Sequence, residues 1–262
     1  MERGFPTFTA VWVSIGSKTE NMKTCGKLFF VALMGLSIGC SLSNDDSGIL
    51  VFTQNSDFSQ TQDGWEADFT DFPTSPEDSV FYDLKSAYTD RPANLGANLK
   101  SIMVSGNNHS DDLFMFLKKK VTGLSPNTNY SIGFDVELAS NAQKGSAGIG
   151  GPPGEAVILK AGASAIEPRK IIDGTSYSLN VDKGNQAQGG TSTIVLGDIA
   201  VETKNGAYAL LTRTSVAQNT APFVVKTNAQ GELWLIVGTD SGYEGVTTLY
   251  YTKVNVVFST TN

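Results

Sequence analysis

Strict alternation of apolar and polar residues along residues 129–138 constrains this chain more than any other feature. Tyr130, Ile132, Phe134, Val136 and Leu138 occupy every second position, and polar residues or glycine fill the positions between them. Successive side chains of a β-strand point to opposite faces of its sheet, so this period of two predicts a strand with one buried face and one solvated face. The chain must supply a second apolar surface to cover the buried face.

Similar short segments recur after residue 48, and no long window there has the 3.6-residue period of an amphipathic helix. We therefore predict an all-β fold, a single jelly-roll-like β-sandwich over residues 49–262. The predicted strands are residues 49–53, 64–69, 80–84, 99–104, 113–117, 129–138, 156–161, 176–181, 193–201, 208–212, 223–226, 232–239 and 248–258.

Charge and cysteine content exclude several classes of function. The formal net charge is −7, and because the first 40 residues carry four basic and two acidic side chains, the remainder carries −9. Nucleic acids are bound through clusters of Lys and Arg. The only such cluster, residues 118–120, lies along a strand whose alternate side chains face opposite ways, so we expect no nucleic-acid binding. Cys25 and Cys40 are the only cysteines, which leaves the predicted sandwich without a disulfide, a thiolate metal site or a cysteine nucleophile.

The N-terminal region has the order of regions that is typical of a secretion signal. A short basic segment, residues 22–27, precedes an apolar run at residues 28–38 that is too short to span a bilayer as a helix, and small residues follow. This order predicts a signal peptide over residues 22–39. Residues 1–21 are interpreted as an over-extended start or a disordered extension.

The end of this segment resembles the lipobox of bacterial lipoproteins. Residues 36–40 read Leu-Ser-Ile-Gly-Cys, with Ser37 where that family usually has leucine. The resemblance implies cleavage before Cys40, acylation of that cysteine (palmitate included) and a membrane as partner, whereas the alternative is an ordinary signal peptide with an incidental cysteine. Residues 40–48 would be a polar tether. Because Ser41 stands where an aspartate would resemble an inner-membrane retention signal, the implied location is the cell envelope, at the outer membrane of a Gram-negative bacterium.

Residues 121–130, VTGLSPNTNY, are similar to the Gly-Leu-x-Pro-x-Thr-x-Tyr corner of fibronectin type III and carbohydrate-binding sandwiches. The resemblance implies that Leu124 fills the core, while Pro126 and Asn127 form the turn before the strand that contains Tyr130. The chain as a whole is also similar to the secreted β-sandwich domains of envelope lipoproteins. Because one sandwich architecture serves many functions, these similarities concern the fold and not the ligand.

A polar cluster between two predicted strands holds the only histidine of the chain, His109, together with Asp111 and Asp112. Imidazole and carboxylates suit a transition metal, whereas carboxylates with the side-chain oxygens of Asn107 or Asn108 suit calcium. The segment is therefore a candidate site for calcium or another divalent metal, or for a polar ligand. The alternative is a solvated loop whose side chains hydrogen-bond the local backbone.

Two glycine-rich segments, residues 150–155 and 180–190, are candidate ligand-binding loops. Glycine lets a backbone approach a ligand closely, and amides and carboxylates bind sugar hydroxyls beside an aromatic face. The alternative is that both segments are ordinary hairpin turns. The predicted ligand-binding set is Asn108, His109, Glu155, Asp182, Asn185 and Gln186.

Three further patterns give weaker indications of a functional site. Asp135 and Glu137 share one strand face and weakly resemble the acid pair of sandwich glycosidases, but a third acidic position is missing and we interpret both as solvated. The tripeptide at residues 240–242, Asp-Ser-Gly, lacks the surrounding signature of a serine nucleophile. Trp65 and Trp234 alternate with apolar residues and are expected in the core.

These patterns favour a lipid-anchored envelope protein with one non-catalytic, ligand-binding β-sandwich, and glycan is the favoured ligand. Two other classes stay open. One is an envelope hydrolase (a glycosidase, a lyase or a metal-dependent enzyme) that uses His109 with the neighbouring carboxylates, and the other is a structural surface protein. Convergence of the candidate side chains in space would indicate a functional site, whereas scatter over separate turns would argue against one.

Overall fold

The computed structural model describes residues 49–218 and 221–261, which form short strands joined by turns. The strands are β1 (Val51–Asp57), β2 (Glu66–Thr70), β3 (Phe72–Pro73), β4 (Lys85–Asp90), β5 (Lys100–Asn107), β6 (Leu113–Val121), β7 (Asn129–Ser140), β8 (Val157–Ser164), β9 (Lys170–Asp173), β10 (Ser176–Leu179), β11 (Thr193–Asp198), β12 (Ala209–Thr214), β13 (Phe223–Lys226), β14 (Leu233–Ser241) and β15 (Val246–Thr260). The helices are single turns, α1 (Pro76–Ser79) and α2 (Ser215–Gln218), and two 3-10 turns cover Val80–Tyr82 and Ala93–Leu95.

The strands form two large antiparallel sheets and one small one. The first is a seven-stranded sheet of order β12-β7-β15-β5-β4, in which β1 also pairs with β15 and β13 also pairs with β7. The second is a five-stranded sheet of order β11-β8-β14-β6-β2. The small sheet has the order β3-β10-β9 and lies beside β2.

The order of the strands confirms the predicted jelly-roll-like sandwich. From β5 onward the chain passes between the two large sheets at β6, β7 and β8, and again at β12, β14 and β15. Numbered by their place in the chain, the eight main strands β5, β6, β7, β8, β11, β12, β14 and β15 give the order 1-8-3-6 in one sheet and 2-7-4-5 in the other. This arrangement is the double Greek key of a jelly roll.

The core lies between the inner faces of the two large sheets. Along β7 buried positions alternate with more exposed ones, as the period of two predicts, and Ile132, Phe134 and Val136 belong to one large apolar cluster. Leu235 and Val237 of β14 contribute to the same cluster from the opposite sheet. Removal of this apolar surface from water, at about 25 cal/mol per Å², is the main term that favours the sandwich.

A smaller apolar cluster lies on the outer face of the five-stranded sheet. The rings of Phe114 and Phe116 stack there with their centroids 5.4 Å apart. Val181, which follows β10, packs on them together with Ile236 of β14. The segment from β9 to β11 therefore covers part of this outer face.

The corner before β7 has the packing that the resemblance implied. Leu124 is buried in the main cluster. The N–H of Ser125 donates to the hydroxyl oxygen of the buried Tyr130 at 2.9 Å. The turn at the end of β6 is thus fixed to the strand that follows it.

Two expectations about individual elements are wrong, and three strands were not predicted. Residues 80–84 do not form a strand, because α1 continues directly into a 3-10 turn at Val80–Tyr82 and Asp83 then takes a left-handed conformation with φ 44°. Trp234 is only half-buried, since it lies on the outer face of its sheet beside the ammonium group of Lys118. The strands β3, β4 and β9 were not predicted. Trp65, in contrast, is buried as expected.

The predicted signal peptide, Cys40 and the tether lie outside the described residues. Within residues 49–218 and 221–261, no helix is long and apolar enough to cross a membrane.

Candidate functional site

Several connections meet at one end of the sandwich, which we call the loop end: the β5–β6 loop, the β14–β15 turn, the β7–β8 loop, the β10–β11 loop and the junction of β2 with β3. The side-chain amide of Gln186 donates to the carbonyl oxygen of Asp111 at 2.9 Å. The N–H of Glu244 donates to the carbonyl oxygen of Ile149 at 2.9 Å. These bonds bring most of the candidate residues to one region of the surface.

Asn108 holds the loop end together from inside. Its side-chain nitrogen donates to the carbonyl oxygens of Ser241 and Tyr243, at 2.8 and 2.9 Å. Its side-chain oxygen accepts from the N–H groups of Ser110 and Leu113, at 3.1 and 3.3 Å. Because the buried amide is fully used within the chain, the geometry does not support the ligand contact predicted for Asn108.

His109 lines an open pocket of about 280 Å³ together with Pro73, Asp78, Phe81 and Tyr82. Its imidazole packs edge-on against the Tyr82 ring, with centroids 5.5 Å apart. The Nε2 atom lies 3.1 Å from the carbonyl oxygen of Phe81. These contacts fix the imidazole in the wall of the pocket, which we call the aromatic pocket.

A group of lysine and aspartate side chains, which we call the charged cluster, lies beside the aromatic pocket on the outer face of the five-stranded sheet. The fully buried carboxylate of Asp240 accepts hydrogen bonds from the Nζ atoms of Lys160 and Lys183, at 2.8 and 2.9 Å. The same Lys183 Nζ lies 3.3 Å from the carboxylate of Asp71 and 3.8 Å from that of Asp112.

The two lysines of the charged cluster differ in electrostatic environment. Burial lowers the pKa of Lys160, although Asp240 opposes this effect. Burial would also lower the pKa of Lys183, but the negative charges of Asp240, Asp71 and Asp112 outweigh it and raise that pKa. Lys183 is therefore the cation around which the aspartates of the cluster are arranged.

Asp112 has the most perturbed carboxyl of the cluster. Burial raises its pKa to about 6, with Asp240 and Asp71 adding to the rise and Lys183 opposing it. Although 47% of its side chain is exposed, its Oδ1 atom is buried and makes no hydrogen bond, which accounts for the effect of burial. Burial also raises the pKa of Asp71.

Asp111 does not complete a metal site with its neighbours. Its Oδ1 atom is buried without a hydrogen-bond partner beside Gly150 and Gly242, while His109 faces the aromatic pocket. Among the residues that the structure describes, no group of three or more His, Cys, Asp or Glu side chains is arranged to hold a metal ion. The structure therefore gives no support to calcium or another divalent metal at His109, Asp111 and Asp112.

The remaining predicted ligand-binding residues form hydrogen bonds within turns. Glu155 accepts the N–H of Gly145 at 2.7 Å. The N–H groups of Thr191 and Gly184 bond the carboxylate of Asp182 and lower its pKa. The exposed Asn185 accepts the N–H of Gln188 at its own carbonyl oxygen. These residues therefore stabilise ordinary turns. The predicted ligand-binding residues come together in space only in part.

Sequence reasoning missed both the charged cluster and the aromatic pocket. The signal for the cluster was Lys160, a lone charge in the apolar segment of β8. The signal for the pocket was Ser75-Pro76 followed by two acidic residues, which is a helix start and not a strand. Neither signal identifies the partner that completes the site, because those partners come from other strands.

We expect Asp240→Asn to destabilise the protein by about 3 kcal/mol or more, because two buried ammonium groups lose their shared counter-charge. Asp135→Asn is the matched control, since Asp135 is exposed on β7 and forms no ion pair within the described part of the chain. Urea denaturation measures both free energies of unfolding. Equal values for the two variants would show that the charged cluster does not stabilise the loop end.

We expect Asp112→Asn to raise the unfolding temperature at pH 7.5 and to change it little near pH 4.5. The raised pKa, about 6, means that the folded state binds a proton more readily than the unfolded state. Ionised Asp112 therefore destabilises the fold at neutral pH, and this cost disappears as the pH falls through the window between about 7 and 4. Thermal melts at both pH values, with Asp135→Asn as control, test the sign; a lower unfolding temperature at pH 7.5 would contradict it.

Comparison with known proteins shows no relative at the level of sequence: no protein-family model matches, and no curated protein matches. Among solved structures, the K1 cleaved adhesin domain of Lys-gingipain from Porphyromonas gingivalis is 11% identical, with 78% of this chain and 96% of that chain covered and a TM-score of 0.34. A carbohydrate-binding module that recognises mannan is 11% identical, with 78% and 95% covered and a TM-score of 0.33.

The enzymatically active domain of tailspike protein 4 from bacteriophage CBA120 is 10% identical, with 73% of this chain covered and a TM-score of 0.33, but this chain spans only 19% of that one. At these identities and TM-scores the similarities carry no argument about ligand or activity. The assignment of the β-sandwich rests on the strand pairing described above.

Proposed function

We propose that this chain is a lipid-anchored protein of the bacterial cell envelope whose sandwich binds glycan in the aromatic pocket without catalysing a reaction. The binding half of the proposal depends on the geometry of Pro73, Asp78, Phe81, Tyr82 and His109. The anchoring half depends on the sequence around Cys40.

The exposed ring of Phe81 is the observation that carries the binding half. Phe81 is 64% exposed, and among the described residues no other Phe, Tyr or Trp is as exposed. The backbone beneath it is held in place, since its carbonyl oxygen lies 3.3 Å from the amide nitrogen of Asn107 and 3.1 Å from the imidazole of His109. A largely exposed ring on an anchored backbone offers a face on which the C–H groups of a pyranose can stack.

Unused polar groups beside the ring suit sugar hydroxyls. The Nδ1 atom of His109 and the carboxylate of Asp78 have no hydrogen-bond partner among the described residues, and both residues line the pocket. Elsewhere at the loop end, Asn108 and Asp182 are already saturated by the backbone. A small apolar face with a few convergent polar groups is the usual composition of a ligand pocket.

The same lining argues for binding and not for glycoside hydrolysis. Asp78 is the one carboxylate among the residues that line the pocket. Hydrolysis of a glycosidic bond normally requires two carboxyl groups at a fixed separation.

The anchoring half of the proposal places the pocket close to the cell envelope. The Leu-Ser-Ile-Gly-Cys segment would direct acylation to Cys40, and the polar residues up to position 48 would hold the sandwich away from the bilayer. Several acyl chains bind a membrane far more firmly than one. A glycan of the envelope or of its surroundings would then be within reach of the loop end.

Phe81→Ala is expected to weaken glycan binding by about tenfold, or about 1.4 kcal/mol, because the stacking face is lost. A glycan array identifies the ligand, and calorimetry on the best hit measures the affinity. Val224→Ala, an exposed apolar residue on β13 outside the aromatic pocket, is the control and should bind as the original chain does. Both variants should keep the original unfolding temperature.

An array without hits would overturn glycan as the ligand. Full affinity in the Phe81→Ala protein would instead place the binding site elsewhere on the sandwich. The two results are distinguishable, because the second requires a measured affinity.

Cys40→Ser is expected to abolish acylation and to move the protein from the membrane fraction to the soluble or secreted fraction of a Gram-negative host. Mass spectrometry of the N-terminal peptide and detergent phase partition measure the change. Cys25→Ser is the matched control, because Cys25 lies in the segment that the signal peptidase would remove. Acylation that persists in the Cys40→Ser protein would contradict the anchoring half.

A further inference from the structure

The strand β9 is an apolar edge on the small sheet. Within the described residues it pairs only with β10, and all of its residues are exposed. Ile171 is 45% exposed and Ile172, the next residue, is 69% exposed. An edge strand with unpaired N–H and C=O groups and exposed apolar side chains is a template for another strand.

The other free edges of the described sheets are less apolar. Strands β1, β2, β3, β4 and β11 carry no exposed large apolar side chain, and β12 and β13 carry one each, Leu210 and Val224. Only β9 has two such residues in succession.

Hydrogen bonding to β10 determines which backbone groups of β9 are free. Asp173 faces Ser176 across a two-residue turn, and the N–H of Asn180 donates to the carbonyl oxygen of Arg169 at 3.1 Å. Because hydrogen-bonding positions alternate along an antiparallel pair, Arg169, Ile171 and Asp173 direct their backbone groups toward β10. Those of Lys170 and Ile172 point away from the sheet and are available to a partner.

Symmetry then restricts how two copies of β9 can pair. Two copies that pair antiparallel are related by a two-fold axis perpendicular to the sheet, and this axis leaves each side chain on the same face in both copies. Residues directly opposite each other must share a face, so the axis has to pass beside one residue, which then lies opposite its own copy. With Ile171 at the centre, Lys170 lies opposite the second copy's Ile172, and these residues form the hydrogen-bonded pairs. Arg169 then lies opposite the second copy's Asp173, on the same face as the two Ile171 side chains.

This register is complementary in charge as well as in hydrogen bonding. The single Ile171–Ile171 contact is flanked on both sides by an Arg169–Asp173 pair, and opposite charges directly across a sheet attract. The other register that satisfies the backbone, centred on Ile172, places Ile171 opposite Asp173 and leaves Arg169 opposite Thr175. It provides no pair of opposite charges.

We propose that β9 is an interaction surface for a second copy of this chain, which pairs with it strand to strand, antiparallel and centred on Ile171. The two small sheets become one continuous sheet across the interface. None of the residues concerned lines the aromatic pocket, so the pairing is independent of glycan binding.

The absence of cysteine from the sandwich provides a direct test in the full chain. Residues opposite each other at a non-hydrogen-bonded position have Cα atoms about 4.5 Å apart, within the range of about 4.4–6.8 Å that a disulfide bridges. We therefore expect Ile171→Cys to give a disulfide-linked dimer when cells that express the full chain are oxidised, as read by non-reducing electrophoresis. Val224→Cys is the matched control on another edge, and the original chain measures any background from Cys25 and Cys40.

A charge exchange tests the register. Asp173→Arg, added to Ile171→Cys, places arginine opposite Arg169 and should slow crosslinking by about tenfold. Adding Arg169→Asp as well restores opposite charges and should restore the rate. Crosslinking of Ile171→Cys no faster than that of Val224→Cys would overturn the proposal, as would faster crosslinking of Ile172→Cys or failure of the double exchange to restore the rate.

Discussion

The buried carboxylate of Asp240 is the interaction on which the loop end depends. It lies on the outer face of β14, where the ammonium group of Lys160 would otherwise be buried without a counter-charge. It is also the nearest of the three carboxylates around Lys183. Gln186 donates its N–H to the same carboxylate at 3.0 Å, so a single side chain fixes the β10–β11 loop to the sheet. The stacked rings of Phe114 and Phe116 are covered as a result.

The charged cluster and the aromatic pocket lie side by side but differ in what their side chains contact. In the cluster both lysines are paired with aspartates, and the raised pKa of Asp112 results mainly from burial of its carboxyl, with the charges of Asp240 and Asp71 adding to the rise. In the pocket, the side chain of Phe81 is largely exposed, and the Nδ1 atom of His109 has no hydrogen-bond partner among the described residues. We propose the pocket as the binding site for that reason, because side chains that the fold does not use are the ones available to a ligand.

The sandwich was predictable because its signal is local. Alternation along β7 and the corner at Leu124 each determine which side of a strand is buried, and neither depends on distant partners. The errors occurred where two local signals competed. At residues 80–84 an apolar cluster suggested a strand, but Ser75 and Pro76 begin a helical turn just before it, and the chain takes the helical path. Trp234 follows the alternating pattern but faces outward. The period of two shows which residues share a face of the sheet, and it does not show which face is buried.

The sequence by itself determined an all-β sandwich, its strand spacing and the residues that would form its core, because burial on a pleated strand repeats every second residue. It also determined which polar residues were available near His109. Only the tertiary structure decided which of them meet: Asp112 joins Lys183 and Asp240 from loops far apart in the chain, while His109 turns to Phe81 and Tyr82. The physical reason is that a carboxylate or an imidazole has no intrinsic partner. Its role is set by the charges and rings that chain topology brings within a few ångströms.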